Sequence, residues 1–320
     1  MQNDKLEGLI AAPFTPMNRD GSLNLELIHQ YYLLLKANNV KGAFICGSTG
    51  EGPSLTLEEK MKVAETWARC TQNDVDFIVM QLVGGTCLED CKTLAAHAKK
   101  VGLDAISFLP PYYFKPSSVE ALALCCKEVA DVVPDMPFYY YHIPVLTGVG
   151  FNMIDLLHAV DGMVPNFTGI KYTHEDLMDF LSCLNYKNGK YDILWGRDET
   201  LLSAFAIGAK GAVGSTYNYA APLYLNIMNS YKEGGFTEAQ QLQQLSINMI
   251  RLLGKYGGIS TGKAFMRYIG LDCGEFRLPL RNMQPSDYKA FCEDVDRLPM
   301  SAFWSKLSGS GNANISESNN

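Results

Sequence analysis

Eight short strand-like runs, each followed by a stretch with helical spacing, succeed one another over about 230 residues of this 320-residue chain. They fall at residues 8–14, 42–46, 75–82, 105–109, 138–141, 167–171, 192–195 and 211–215. Most are continuously apolar and do not alternate, as suits a parallel sheet buried on both faces. The segments between them carry helix signals. Residues 25–36 space their apolar side chains helically, Thr56 with Glu59 reads as a capping box, and Gly102 follows Lys99 and Lys100 as a stop. Ser117 and Asp198 are good N-cap types. Eight such units match a closed (β/α)8 TIM barrel better than an open doubly wound sheet, although the pattern alone does not show closure. After the eighth unit the alternation stops, and 236–256, 261–269 and 285–298 read as helices. The expected organisation is a catalytic barrel over 1–232, a three-helix extension packed on it over 233–305, and a disordered tail over 306–320, polar from Ser308 onward.

Composition narrows the function. With 27 basic and 34 acidic residues the net charge is −7, which argues against a nucleic-acid partner. No apolar stretch approaches the ~18 residues of a membrane span, and the first residues lack the pattern of a signal peptide. Nine cysteines at irregular spacings, Cys125 and Cys126 adjacent among them, read as reduced thiols, so a cytoplasmic location is expected. The histidines at 29, 97, 142, 158 and 174 share no metal-ligand spacing. Residues 257–263 have the spacing of a phosphate-binding loop. However, Ala264 replaces the hydroxyl that would hold magnesium and no strand leads in, so a helix-linking turn is expected.

A barrel carries its chemistry at the C-terminal ends of its strands. Those ends hold Gly47-Ser48-Thr49-Gly50-Glu51, Tyr112, Tyr141, Lys171 with Thr173, Gly196 with Asp198 and Glu199, and Ser215. Lys171 ends an apolar strand, whereas most lysines here sit among other charges on helices. In a dry site its ammonium loses hydration, its pKa falls, and it becomes an amine nucleophile toward a carbonyl; a structural lysine paired with Asp198 or Glu199 is the alternative. Tyr141, one strand away, is either a proton shuttle or a packing aromatic. The Gly47–Glu51 segment is either an anion cradle of hydroxyls and amides or a tight glycine turn. Asp198 and Glu199 either accept hydrogen bonds from a polyol or cap a helix.

Taken together, Gly-Ser-Thr-Gly-Glu at 47, Tyr-His-Ile-Pro at 141, Gly-Ile-Lys at 169 and Gly-Ser-Thr-Tyr-Asn at 214 resemble the pyruvate-dependent class I aldolases of the N-acetylneuraminate lyase and dihydrodipicolinate synthase superfamily. The resemblance covers about residues 6–300. Within it, 138–148 and 196–204 are similar to the sialic-acid-cleaving branch in its animal-type form. The synthases usually carry an arginine where Leu146 stands and two threonines where this chain has Ser48 and Thr49. The resemblance implies that Lys171 forms a Schiff base with the keto acid, without metal or organic cofactor, and that Tyr141 relays protons with Ser48 in support. It implies that Ser48, Thr49 and the amides around Gly50 hold the carboxylate, and that Tyr112 reaches a neighbouring subunit. Thr173, Gly196, Asp198, Glu199 and Ser215 would line the sugar pocket. The implied partners are small molecules (sialic acid, pyruvate and N-acetylmannosamine), and the implied assembly is a homotetramer. Another 2-keto-3-deoxy sugar acid aldolase, a dihydrodipicolinate synthase and a non-catalytic sugar-acid sensor are the alternatives. Arg197, His142 and His174 carry no assigned role.

Overall fold

The computed structural model describes residues 5–307, so most of the tail expected over 306–320 lies outside the described residues. Its first residue is not disordered, because Lys306 N–H donates to Asn38 Oδ1 at 3.1 Å and Asn38 Nδ2 donates to Lys306 O at 2.9 Å. Eight parallel strands close into a barrel in chain order: β1 (Gly8–Ala11), β2 (Gly42–Ile45), β3 (Ile78–Leu82), β4 (Ala105–Phe108), β5 (Phe138–His142), β6 (Phe167–Tyr172), β7 (Asp192–Trp195) and β8 (Gly211–Gly214), with β8 pairing back to β1. Every expected strand is present. The first is shorter than its apolar run because Pro13 has no N–H for a ladder. The third begins only at Ile78, since Val75 is 94% exposed.

Alternation sorts the side chains into two cores. Ile10, Phe44, Met80, Tyr139, Tyr141, Leu194 and Val213 fill the barrel, whereas Leu9, Ile45, Val79, Phe138, Ile170 and Trp195 point outward against the helices. Phe44 is wholly buried, and its truncation to alanine is expected to cost ~3–5 kcal/mol.

The outer layer comprises α1 (Leu27–Ala37), α2 (Leu57–Thr71), α3 (Leu88–Val101), α4 (Val119–Ala130), the single turn α5 (Pro144–Thr147), α6 (Met153–Val160), α7 (Leu177–Asn185), α8 (Leu201–Ala206) and α9 (Tyr217–Lys232). The capping box is present: Glu59 N–H donates to Thr56 Oγ1 at 3.2 Å and Thr56 N–H to Glu59 Oε2 at 2.9 Å. Gly102 closes α3 with φ +80°. Ser117 does not cap α4. The extended residue before that helix is Ser118, whose Oγ accepts from Ala121 N–H at 3.2 Å.

Beyond the barrel lie α10 (Phe236–Lys255), α11 (Thr261–Tyr268) and α12 (Pro285–Asp296), close to the three helices expected. Residues 257–260 form the turn that leads from α10 into α11. The chain after α12 ties onto α9 near Pro222, where the helical dihedrals break at Ala220: Ser305 N–H donates to Tyr219 O at 2.8 Å, and Ala221 N–H donates to Ser305 Oγ at 3.2 Å. All nine cysteines are free thiols. Among the described residues no helix is long and apolar enough to cross a membrane.

Candidate active site

Strand register explains the centre of the site. Tyr141 on β5 is paired with Lys171 on β6, so both side chains project to the same face, the barrel interior. Lys171 is 4% exposed, and its Nζ sits 3.7 Å from the centre of the Phe44 ring and 4.1 Å from that of Tyr141. Among the described residues no carboxylate lies within ion-pair distance of it, so the structural pairing with Asp198 or Glu199 does not form. Burial lowers Lys171 to about 7, with the charge of Asp198 pulling the other way. A sizeable fraction of a usable neutral amine is therefore present at neutral pH. Burial pushes the Tyr141 phenol above its ordinary value, against the pull of the Ser48 and Thr173 hydroxyls.

The Gly47–Glu51 segment leaves β2 as a compact turn. Glu51 N–H donates to Ser48 O at 3.2 Å and Gly52 N–H to Gly47 O at 3.0 Å, while Thr15 Oγ1 donates to Gly50 O at 2.6 Å. Both ends of the turn are non-glycine residues in the left-handed region, Cys46 at φ +56° and Glu51 at φ +58°. Each such residue costs ~1–3 kcal/mol, so the surroundings must hold the turn in place. Thr49 and Gly50 are buried and Ser48 is half-buried at the rim.

Opposite this turn stands a second polar edge. Asp198 is buried, and its Oδ2 accepts from Thr216 N–H at 3.0 Å and Thr216 Oγ1 at 2.7 Å. It is therefore not a helix cap: the short 3-10 turn at Asp198–Thr200 starts with no side-chain cap at all. Its Oδ1 is buried without a well-formed hydrogen bond, and burial raises the carboxyl to about 6 against the Thr216 bonds. Two glycines make room for these groups. A Cβ on Gly214 would lie 1.8 Å from Asp198 Oδ1, and one on Gly196 would lie 1.9 Å from Thr173 Oγ1, itself buried beside the Tyr141 phenol without a well-formed hydrogen bond. Glu199 is held by Arg197, whose Nη2 is 3.0 Å from its Oε1 and also pairs with Glu175. A cavity of about 520 Å³ here is lined by Arg197, Glu199, Ser215, Phe14, Leu253 and Ile259, among others. A second cavity, about 620 Å³, lies between the loop after β1 and α11–α12 and holds none of the candidate residues.

The structure thus gathers Ser48, Tyr141, Lys171, Thr173, Gly196, Asp198, Glu199 and Ser215 around the barrel mouth, with Thr49 and Gly50 in the adjoining turn. Tyr112 stands at the edge of the group: 37% exposed, it lines a smaller cavity of about 160 Å³ with Cys46 and Gly52, the residues that flank the Gly47–Glu51 turn. His142 alternates with Tyr141 and faces outward against Tyr172 and His174, with ring centres 5.1 and 5.5 Å away. Burial lowers it to about 3, so it stays neutral. Sequence reasoning missed Phe44, an ordinary core residue by its pattern, and Arg197, which anchors Glu199. It also missed Gln243 on α10, which donates to Asp198 O at 3.2 Å and accepts from Leu202 N–H at 2.9 Å. Among the described residues no cluster of three or more His, Cys, Asp or Glu is placed to hold a metal ion.

A closed barrel with an unpaired buried lysine and a tyrosine beside it defines a (β/α)8 protein equipped for amine–carbonyl chemistry. The Dihydrodipicolinate synthetase family matches residues 5–298, and the chain belongs to that family. It is 41% identical over 288 residues to N-acetylneuraminate lyase A of Xenopus laevis, covering 89% of this chain and 93% of that protein. It is 42% identical over 288 residues to N-acetylneuraminate lyase of Xenopus tropicalis, with the same coverage. The solved structure of Proteus mirabilis N-acetylneuraminate lyase superposes with a TM-score of 0.89 at 38% identity, over 92% of this chain and 99% of that one.

Proposed function

We propose that this chain is an N-acetylneuraminate lyase, a class I aldolase that reversibly cleaves N-acetylneuraminate to N-acetylmannosamine and pyruvate. One observation carries the chemistry: Lys171 is a buried amine without a counter-ion, lowered to about 7 and boxed by the rings of Phe44 and Tyr141. The names of the relatives supply the sugar.

The neutral Lys171 amine attacks C2 of the keto acid. Tyr141, a neutral phenol in its buried setting, gives its proton to the carbinolamine hydroxyl, water leaves, and an iminium and a phenolate remain. The phenolate takes the proton of the C4 hydroxyl as C3–C4 breaks, and the bonding pair flows into the iminium to form a neutral enamine. Protonation at C3 and hydrolysis release pyruvate and restore the amine. No step calls for a metal or an organic cofactor. Ser48, Thr49 and the amides about Gly50 receive the carboxylate. Thr173 Oγ1, beside the Tyr141 phenol, and Asp198 Oδ1, beside Tyr217, are buried without a well-formed hydrogen bond and are the groups offered to the sugar's hydroxyls, since an unmet buried polar group costs ~1–3 kcal/mol. Glu199 and Ser215 extend that edge, and Gly196 keeps Thr173 free. Leu146 brings no charge to the position where the synthases bind a second carboxylate.

We further propose a cytoplasmic homotetramer, with Tyr112 reaching a neighbouring subunit. The support for the assembly is the exposure of Tyr113 and Phe114 on one loop and of Val145 and Leu146 on another, two loops that approach each other where Lys115 reaches Gly148.

Borohydride reduction with pyruvate followed by peptide mass spectrometry tests the reading. The expected result is a pyruvyl adduct on Lys171, with N-acetylmannosamine released from N-acetylneuraminate by the same preparation. A folded protein that takes no adduct at saturating pyruvate would sink the aldolase reading and leave the sugar-acid sensor.

A further inference from the structure

The left-handed turn that forms the carboxylate cradle is anchored from outside the barrel. Glu51, its last residue, is 2% exposed, and Lys263 of α11 donates from Nζ to Glu51 Oε1 at 2.7 Å. The same Nζ donates to Glu275 O at 2.9 Å and lies 4.6 Å from the centre of the Phe276 ring. Arg277 completes the hold: its backbone N–H donates to Glu51 Oε2 at 2.9 Å. Its guanidinium grips Glu59 of α2 with two bonds at 2.8 and 2.6 Å and donates to Gly21 O and Ser54 O. Both Glu51 oxygens are therefore satisfied by the C-terminal helical region, and none of these groups points at Lys171.

We propose that the Lys263–Glu51 ion pair is a positioning device for the substrate carboxylate: by fixing Glu51 in its left-handed conformation, it sets the directions of the Ser48 and Thr49 hydroxyls and of the amides around Gly50. The proposal rests on the reading of this turn as the carboxylate cradle. Lys263 and Glu51 act through Ser48 and Thr49 and touch no substrate. A turn with strained residues at both ends relaxes when one end is released, and a relaxed cradle loses its aim. The consequence falls on one end of the substrate. Pyruvate carries the carboxylate and N-acetylmannosamine does not, so losing the pair should weaken the first and spare the second.

The test uses the full chain in two forms, Glu51→Gln and the charge-neutral double variant Glu51→Gln/Lys263→Met, because Lys263→Met alone strands a buried carboxylate. The readouts are the pyruvate concentration that half-saturates borohydride trapping, the KM for each substrate in the direction of synthesis, and the thermal midpoint. The expected result is a half-saturating pyruvate raised about 10-fold or more in the double variant, with kcat falling less than this and the KM for N-acetylmannosamine within about twofold of wild type. If the double variant does not fold, Glu51→Gln is expected to show the same split at smaller amplitude, since glutamine keeps one acceptor. Trapping that half-saturates at the wild-type concentration, or a parallel rise in both KM values, overturns the proposal and leaves the pair a stabilising contact only. Absence of trapping in the wild type overturns the aldolase reading, and this proposal with it.

Discussion

Two lysines of this chain are almost equally buried, Lys171 at 4% and Lys263 at 3% exposure, and their surroundings differ in one respect. Lys263 meets a carboxylate at 2.7 Å and a carbonyl at 2.9 Å. Lys171 meets ring faces and no carboxylate within ion-pair distance. Burial lowers both, but beside Lys263 the Glu51 charge opposes the fall and gives the ammonium a fixed partner, which makes it an anchor. Beside Lys171 the nearest countervailing charge, Asp198, acts at a distance and spends its Oδ2 on Thr216, so the amine stays available for chemistry. Burial alone does not make a nucleophile of a lysine; burial without a counter-ion does.

Replacing each lysine by methionine should break that comparison most sharply. Lys171→Met is expected to abolish borohydride trapping and to lower turnover by at least about 10³-fold. Its thermal midpoint should hold or rise, because an unpaired amine gives way to an apolar side chain among rings. Lys263→Met should do the reverse to stability, costing about 3–5 kcal/mol by leaving Glu51 buried and uncompensated. Calorimetry on the two variants decides it. A Lys171→Met protein that melts well below wild type would make Lys171 a structural residue after all.

The pH dependence sharpens the same contrast. Below pH 7 Lys171 becomes an ammonium, so the trapping rate at saturating pyruvate should fall about tenfold per pH unit and level off above. Asp198→Asn removes a charge that raises Lys171, and its acid limb should therefore move to lower pH. Stability follows from the same shift. Between about 7 and the ordinary value of 10.5, the unfolded chain holds a proton on this lysine that the folded chain does not. The contribution of Lys171 to stability accordingly rises with pH across that window, and its penalty is complete below it. Denaturant titrations at several pH values should show this slope in wild type and lose it in Lys171→Met. An acid limb left in place by Asp198→Asn would disconnect the two residues.

The barrel was legible because its evidence is local: eight apolar runs, a capping box at Thr56 and a stop at Gly102 each occupy a few residues. Lys171 was legible for the same reason, as a lone charge closing an apolar strand. Lys263 offers a similar signal, with Ala264, Phe265 and Met266 beside it, but its partner Glu51 is 212 residues away and no sequence window joins them. Asp198 looked like a helix cap because capping is the local option for an aspartate there, and Thr216, eighteen residues on, outcompetes it. Phe44 was invisible for the opposite reason: by its pattern it is core, and only closure of the barrel brings its face over an amine.

Gln243 extends the comparison to the sugar edge and carries the smallest expected effect. It lies 7% exposed on α10, where a polar residue on an amphipathic helix would ordinarily face water. Its amide NH₂ donates to Asp198 O at 3.2 Å and Ser246 Oγ at 2.6 Å, and its carbonyl accepts from Leu202 N–H at 2.9 Å. It therefore fixes the backbone that carries Asp198 and Glu199, as Lys263 fixes the backbone that carries Ser48 and Thr49. Gln243→Leu leaves the Asp198–Thr216 bonds in place but frees the turn from α10, a loss of two hydrogen bonds to that segment, worth ~0.5–1.5 kcal/mol each, besides the one to Ser246. The KM for N-acetylmannosamine should rise about 3- to 10-fold, while the pyruvate concentration that half-saturates trapping stays put. That is the mirror image of the pattern expected at Lys263. If both constants moved together in Gln243→Leu, the two edges of the site would be a single mechanical unit, and the C-terminal helices would stiffen the whole mouth rather than address its two ends separately.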